Sequence, residues 1–189
     1  MKSPRAPLCD QSLGQLVVID VQERLAGAMA STELERVVHN TGVLLRAAGR
    51  LEVPVVITEQ YPRGLGPLVP ALASELPADC RRIEKTAFSC ARADGFVAAL
   101  EAVTRPQVVL AGMEAHVCVL QTAIDLVGRG FEVFVVADAV CSRDPRHRDV
   151  AMTRLAQAGV RVTVTESVLF EWLGDAAHPE FRAVSRLIR

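Results

Sequence analysis

A chain of 189 residues, half of them hydrophobic, has ample material for one buried core and suits a single α/β domain spanning 1–189. A formal net charge of −1, with no basic cluster, argues against nucleic acid as the main partner, because phosphate binding needs gathered Lys and Arg. No apolar run approaches the roughly 20 residues that span a bilayer, and no early segment has the basic start and apolar core of a secretory signal, so a soluble, cytoplasmic protein without a membrane partner is expected.

The run QLVVIDVQ, from Gln15, is β-branched and ends in Asp20; it predicts the first strand. A helix follows, with Leu34, Val37, Val38, Thr41, Leu44, Leu45 and Ala48 at helical spacing and Ser31 or Thr32 as its cap. VPVVITEQ is the second strand, with Pro54 at its start, and YPRGLGPLVPAL is a surface loop rich in Pro and Gly. RRIEKTAF is a shorter third strand, DGFVAALEAV a helix capped by Asp94, and QVVLAG the fourth strand. HVCVLQTAIDLVGRG reads as a helix ended by Gly130, and FEVFVVAD as strand five. Asp144 has the position of an N-cap, with Pro145 at the first helical residue and a stop at Gly159. VRVTVTE is strand six, and SVLFEWLG and PEFRAVSRLIR are closing helices.

Strands alternating with helices, each strand a near-continuous apolar run, predict an open parallel sheet with helices on both faces. Ligands of such sheets bind at the carboxyl ends of the strands. Three polar residues meet that condition. Asp20 ends strand one, Lys85 follows strand three, and Cys118 starts the helix after strand four. Taken singly, each has a plainer reading: a loop anchor, a solvated lysine, a small core residue. Together they gather on one edge of one sheet. A helix start favours an anion and a nearby ammonium adds to this, so a lowered thiol pKa is expected at Cys118, with Asp20 as the acceptor of its proton. The five cysteines (Cys9, Cys80, Cys90, Cys118, Cys141) show no C-x-x-C, and the four histidines form no pair at ligand spacing. Free thiols, no metal and no cofactor are expected.

VVIDVQERL, EKTAFS and GMEAHVCVLQTAIDL, in this order and spacing, resemble the isochorismatase-like cysteine hydrolases, and the resemblance covers nearly the whole chain. TEQYPRGLGPLVPAL, DAVCSRDPRHRDVAMTRLAQAGV and GDAAHPEFRAVSRLIR resemble its branch of isochorismatase domain-containing proteins. The resemblance implies a six-stranded sheet in the order 3-2-1-4-5-6 and a catalytic triad of Asp20, Lys85 and Cys118. It further implies a non-proline cis peptide at Met113–Glu114 and an oxyanion hole made by the backbone amides of Glu114 and Cys118. Metal-dependent relatives carry an Asp-x-His after strand two, where this chain reads TEQYPRG, which weakens a metal role.

The expected activity is hydrolysis of a small carbonyl substrate, an amide for preference, through a thioester. A non-catalytic binding or scaffold protein of the same fold, and a vinyl-ether hydrolase of the isochorismatase type, are the alternatives. Gln22, Tyr61, Phe88, Met113 and His116 are candidates for contact with the substrate. His39 lies mid-helix, and His147 and His178, near helix starts, read as solvated. The closing helices carry Leu169, Phe170, Trp172, Leu173, Phe181, Val184, Leu187 and Ile188. So much apolar surface either covers the sheet or, as the resemblance favours, supports a homo-oligomer.

Overall fold

A computed structural model describes residues 8–188. The first seven residues and Arg189, the two ends of the expected domain, lie outside the described residues.

The six expected strands form as β1 (Gly14–Ile19), β2 (Val55–Gln60), β3 (Arg81–Lys85), β4 (Gln107–Met113), β5 (Glu132–Cys141) and β6 (Arg161–Thr163). They pair in parallel throughout, in the order β3-β2-β1-β4-β5-β6. Between them run α1 (Glu23–Ala26), α2 (Ser31–Arg50), α3 (Pro62–Leu65), α4 (Pro70–Ala73), α5 (Phe96–Glu101), α6 (Leu120–Val127), α7 (Pro145–Gln157), α8 (Thr165–Leu173) and α9 (Phe181–Ser185).

The strands alternate their side chains between two cores, as the period of two requires. Leu16, Val18, Val109, Ala111, Phe134 and Val136 face one, together with Val37, Leu44, Leu45 and Ala48 of α2. Val17, Ile19, Val108, Leu110, Val133 and Val135 face the other, with Phe96 and Leu100 of α5, Ala123 and Leu126 of α6 and Leu155 of α7. β1 and β4 approach closely where Ile19 lies opposite Gly112. A Cβ at Gly112, whose φ is 118°, would stand 2.0 Å from Ile19 O, so only glycine fits.

Several local expectations are corrected. The Pro/Gly-rich stretch after β2 is not plain loop, because Pro62 and Pro70 open one-turn helices from the position where their missing N–H costs nothing. Neither Ser31 nor Thr32 caps α2, which has Ala30 at that position, and Asp94 does not cap α5, which starts behind Gly95 at φ +77°. α6 stops at Val127, three residues before Gly130. Asp144 does cap α7, accepting from Arg146 N at 2.9 Å.

The C-terminal apolar residues are largely used within the chain. Val168, Leu169, Trp172, Leu173 and Val184 are buried in the α2-side core, and Phe181, Leu187 and Ile188 pack against it. Phe170 stays 41% exposed. These helices therefore supply no argument for self-association. Among the described residues, no helix is long and apolar enough to cross a membrane.

Candidate active site

Because every strand is parallel, all six carboxyl ends share one edge. Asp20 follows β1 directly in a left-handed conformation (φ 53°), which a short polar residue tolerates, and its amide still donates to Thr58 O at 3.1 Å. Its carboxylate is fully buried and must be compensated there. Oδ2 accepts from Lys85 Nζ at 2.6 Å and Oδ1 from the Thr58 hydroxyl at 2.7 Å.

Lys85, the last residue of β3, is equally enclosed: neither its side chain nor that of Asp20 has any exposure. Besides Asp20, Nζ reaches Gln60 Oε1 at 2.7 Å and the carbonyls of Ala87 and Phe88 at 3.3 Å each. Three ammonium protons thus meet four acceptors. Burial is the largest single influence and works against the charge, but Asp20 together with Cys90 and Cys118 outweighs it, and the pKa of Lys85 rises.

Cys118 is only 6% exposed. It lies in a π-helical turn, Ala115–Val119, before α6 begins. Val119 N donates five residues back to Glu114 O at 3.2 Å, the wide turn often met at functional sites. The expected fall in its thiol pKa is corrected. Burial first, then the charge of Asp20, pushes the Cys118 thiol well up, and Lys85 pulls down too weakly to offset them. The helix-start effect acts on an exposed sulfur, and this one is buried beside a carboxylate.

The Met113–Glu114 peptide bond is cis. The Glu114 side chain is buried and committed, with Oε2 accepting from Arg143 N at 2.9 Å and Arg143 Nε at 3.1 Å. Of the candidates for substrate contact, Tyr61 lines a cavity of about 450 Å³ with Arg63, Lys85, Thr86 and Arg92. That lining contains Lys85 but neither Asp20 nor Cys118, so the cavity lies on the β3 side of the Asp20–Lys85 pair. The Tyr61 ring lies against Gly64, where a Cβ would come within 2.4 Å of it. Phe88 has its ring exposed and joins the site through its carbonyl. His116 Nδ1 meets Ser142 Oγ at 2.9 Å, and its ring centroid is 4.9 Å from that of His147.

Two candidates are corrected. Gln22 is fully buried and its amide is spent, accepting from Gln60 N at 2.7 Å and donating to the carbonyls of Gln60 and Gly66. Met113 is fully buried in the α2-side core, on the alternate face of β4. Conversely, Thr58, Gln60 and Cys90 were not foreseen. Thr58 Oγ1 accepts from Cys90 Sγ at 3.6 Å while donating to Asp20. Thr58 and Gln60 sit at the carboxyl end of β2, so the same strand-end rule that finds Asp20 and Lys85 reaches them. Among the described residues, no group of three or more His, Cys, Asp or Glu could hold a metal ion.

A six-stranded parallel sheet in the order 3-2-1-4-5-6 with helices is the fold of isochorismatase-like hydrolases of known structure. The family model described as the isochorismatase domain matches residues 15–167, and the chain belongs to that family. It is 40% identical over 179 residues to isochorismatase domain-containing protein 2 of Homo sapiens, covering 92% of this chain and 82% of that one. Among solved structures, a protein named MAR1 ribonuclease from Caenorhabditis elegans superposes with a TM-score of 0.91 at 36% identity, over 96% of this chain and 92% of that one. The YcaC gene product of Escherichia coli, an octameric hydrolase of unknown specificity, superposes with a TM-score of 0.83 at 26% identity, over 98% and 97% of the two chains.

Proposed function

We propose that the protein is a cysteine hydrolase of a small carbonyl substrate, an amide for preference, using Asp20, Lys85 and Cys118. The observation that carries this reading is the solvent-free Asp20–Lys85 pair at 2.6 Å, whose two charges both act on the Cys118 thiol. A buried ion pair is weak evidence for stability, because desolvation cancels much of its attraction. Beside a thiol, it supplies a base and the charge that compensates it.

Cys118 rests as a thiol. As Sγ attacks the carbonyl carbon, its proton passes to Asp20, and the carbonyl electrons move to oxygen, which the amides of Glu114 and Cys118 receive. Collapse of the tetrahedral adduct breaks the C–N bond, and Asp20 returns the proton to the leaving amine. Water then attacks the thioester, its proton going by way of Asp20 back to Sγ, and the acid departs. Lys85 acts as a fixed charge and not as a proton donor, because its three protons are already engaged by four acceptors.

An amide-library screen of wild type against Cys118→Ser tests the reading, with turnover expected only in wild type. Trapping with a small aldehyde separates it from a scaffold of the same fold: no covalent adduct at Cys118 in folded wild type, in a chain without turnover, would favour the scaffold. The ribonuclease name belongs to the C. elegans relative; a thiol beside a carboxylate and an ammonium suits acyl transfer. Self-association is proposed on the octameric E. coli relative alone. Light scattering giving a mass near a single 20.4 kDa chain at micromolar concentration would refute it.

A further inference from the structure

Arg143 stands two residues beyond β5 and one before Asp144, the cap of α7. Its backbone amide and its Nε both donate to the same oxygen, Oε2 of Glu114. Side-chain exposure is 7% for Glu114 and 63% for Arg143, so the carboxylate is fixed inside and the guanidinium reaches outward from it.

A guanidinium can grip a planar anion along its Nε side or end-on through its two Nη groups. Glu114 takes only Nε. Among the described residues, no acceptor bonds either Nη of Arg143. The neighbouring cations are engaged otherwise: Arg146 holds Asp144 with Nε and Nη2, and Arg148 binds Ala137 O and Asp149. The α7 N-terminus adds partial positive charge at the same place.

Glu114 also ties this arginine to the reaction centre. Its backbone opens the turn that carries Cys118, with Val117 N and Val119 N both donating to Glu114 O. Ser142, next to Arg143, holds His116 of the same turn. Arg143 therefore follows the carboxyl end of β5, on the same sheet edge as Asp20 and Lys85, and is tied through Glu114 to the turn that carries Cys118.

We propose that the Nη edge of Arg143 receives a carboxylate, or a similar planar anion, on the substrate, so that the preferred substrates are small amides bearing a negative charge. This rests on the reading of Cys118 as the nucleophile. Arg143 is then a specificity-determining residue, with its aim set by Glu114.

The test needs no knowledge of the natural substrate. N-iodoacetylglycine and N-iodoacetyl-β-alanine are each compared with their neutral primary amides, and the rate of Cys118 alkylation is read by mass spectrometry. For at least one length, the acid-to-amide rate ratio should fall about tenfold from wild type to Arg143→Gln, the loss of one charge-assisted hydrogen bond. Arg143→Lys keeps the charge without the two-point edge and should lie between. Arg146→Gln, a still more exposed arginine of the same helix start, should leave the ratio as in wild type. Equal ratios in wild type and Arg143→Gln at both lengths would overturn the assignment of Arg143 while leaving Cys118 as nucleophile. Failure of all four reagents to label Cys118 in folded wild type would overturn both.

Discussion

Lys85 Nζ stands 2.6 Å from Asp20 Oδ2, with no solvent at either side chain. The two residues are 65 positions apart and close the gap across β2, whose Thr58 and Gln60 each hold one of the charges. Each charge is tolerable only because of the other. The Cys118 thiol feels both, and Asp20 the more strongly.

Asp20→Asn should therefore move reactivity and turnover in opposite directions. Removing the carboxylate charge takes away the second-largest influence that raises the Cys118 thiol and leaves Lys85 to lower it. A fall of one pKa unit gives about tenfold more thiolate at neutral pH, so iodoacetamide should label Cys118 faster. Turnover should collapse, because nothing remains to take up and return the proton. Slower labelling of a folded Asp20→Asn protein would show that burial alone governs the sulfur.

At Lys85 the two informative substitutions fail differently. Lys85→Met leaves a buried carboxylate without its ion-pair partner, a loss on the order of 3–5 kcal/mol in a urea melt. Combining it with Asp20→Asn should restore part of that stability, a positive coupling in a double-mutant cycle. Lys85→Arg keeps the charge, but its planar fork does not fit a point held by Gln60 Oε1 and two carbonyls. It should fold, alkylate more slowly at Cys118 and lose at least about tenfold in turnover, or roughly 1.4 kcal/mol at the transition state. Wild-type turnover in folded Lys85→Arg would remove Lys85 from the proposed triad.

Asp20, Lys85 and Cys118 were legible because a parallel sheet puts every strand end on one edge, so strand-end polar residues converge whatever their separation in the chain. Thr58 and Gln60 obey the same rule but look like an ordinary polar strand terminus. Met113 was misjudged because proximity to Cys118 in sequence does not say which face of β4 a side chain takes. The direction of the Cys118 shift was misread for a related reason: a helix start is visible in sequence, whereas enclosure of that sulfur beside Asp20 is a tertiary fact. The C-terminal helices show the same limit, since their apolar faces are plain in sequence but their partner, α2, is not.

Gly112→Ala tests the contact that brings β1 and β4 together beneath the site. The new methyl group would meet Ile19 O and N, backbone atoms that cannot swing aside, at a φ that alanine disfavours. A loss beyond about 4 kcal/mol is expected, enough to leave little folded protein. Gly130→Ala, also at positive φ but with open space around it, should fold and lose less. Comparable melts for the two variants would mean that the close approach is not tight.

The buried thiols should set an alkaline limit of stability. Cys90 is pushed up to about 11 and Cys141 to about 12 from an ordinary 9.0, burial being the main cause in both, and Cys9 and Cys118 are raised further for the same reason. A group whose native pKa is raised keeps its proton in the fold after the unfolded chain has released it. Its contribution is complete below the unfolded value and is lost as pH climbs through the window from 9.0 toward the native value. Lys85, raised above 10.5, acts in the same sense at still higher pH. Within the window each buried thiol gives a slope of about 1.4 kcal/mol per pH unit. Urea melts at about pH 8 and pH 10 should therefore differ by at least about 3 kcal/mol, stability falling as pH rises. Cys141→Ala should flatten that slope by roughly one proton's worth, even though it lowers stability at pH 8. An unchanged slope in Cys141→Ala would show that this thiol does not ionise with unfolding.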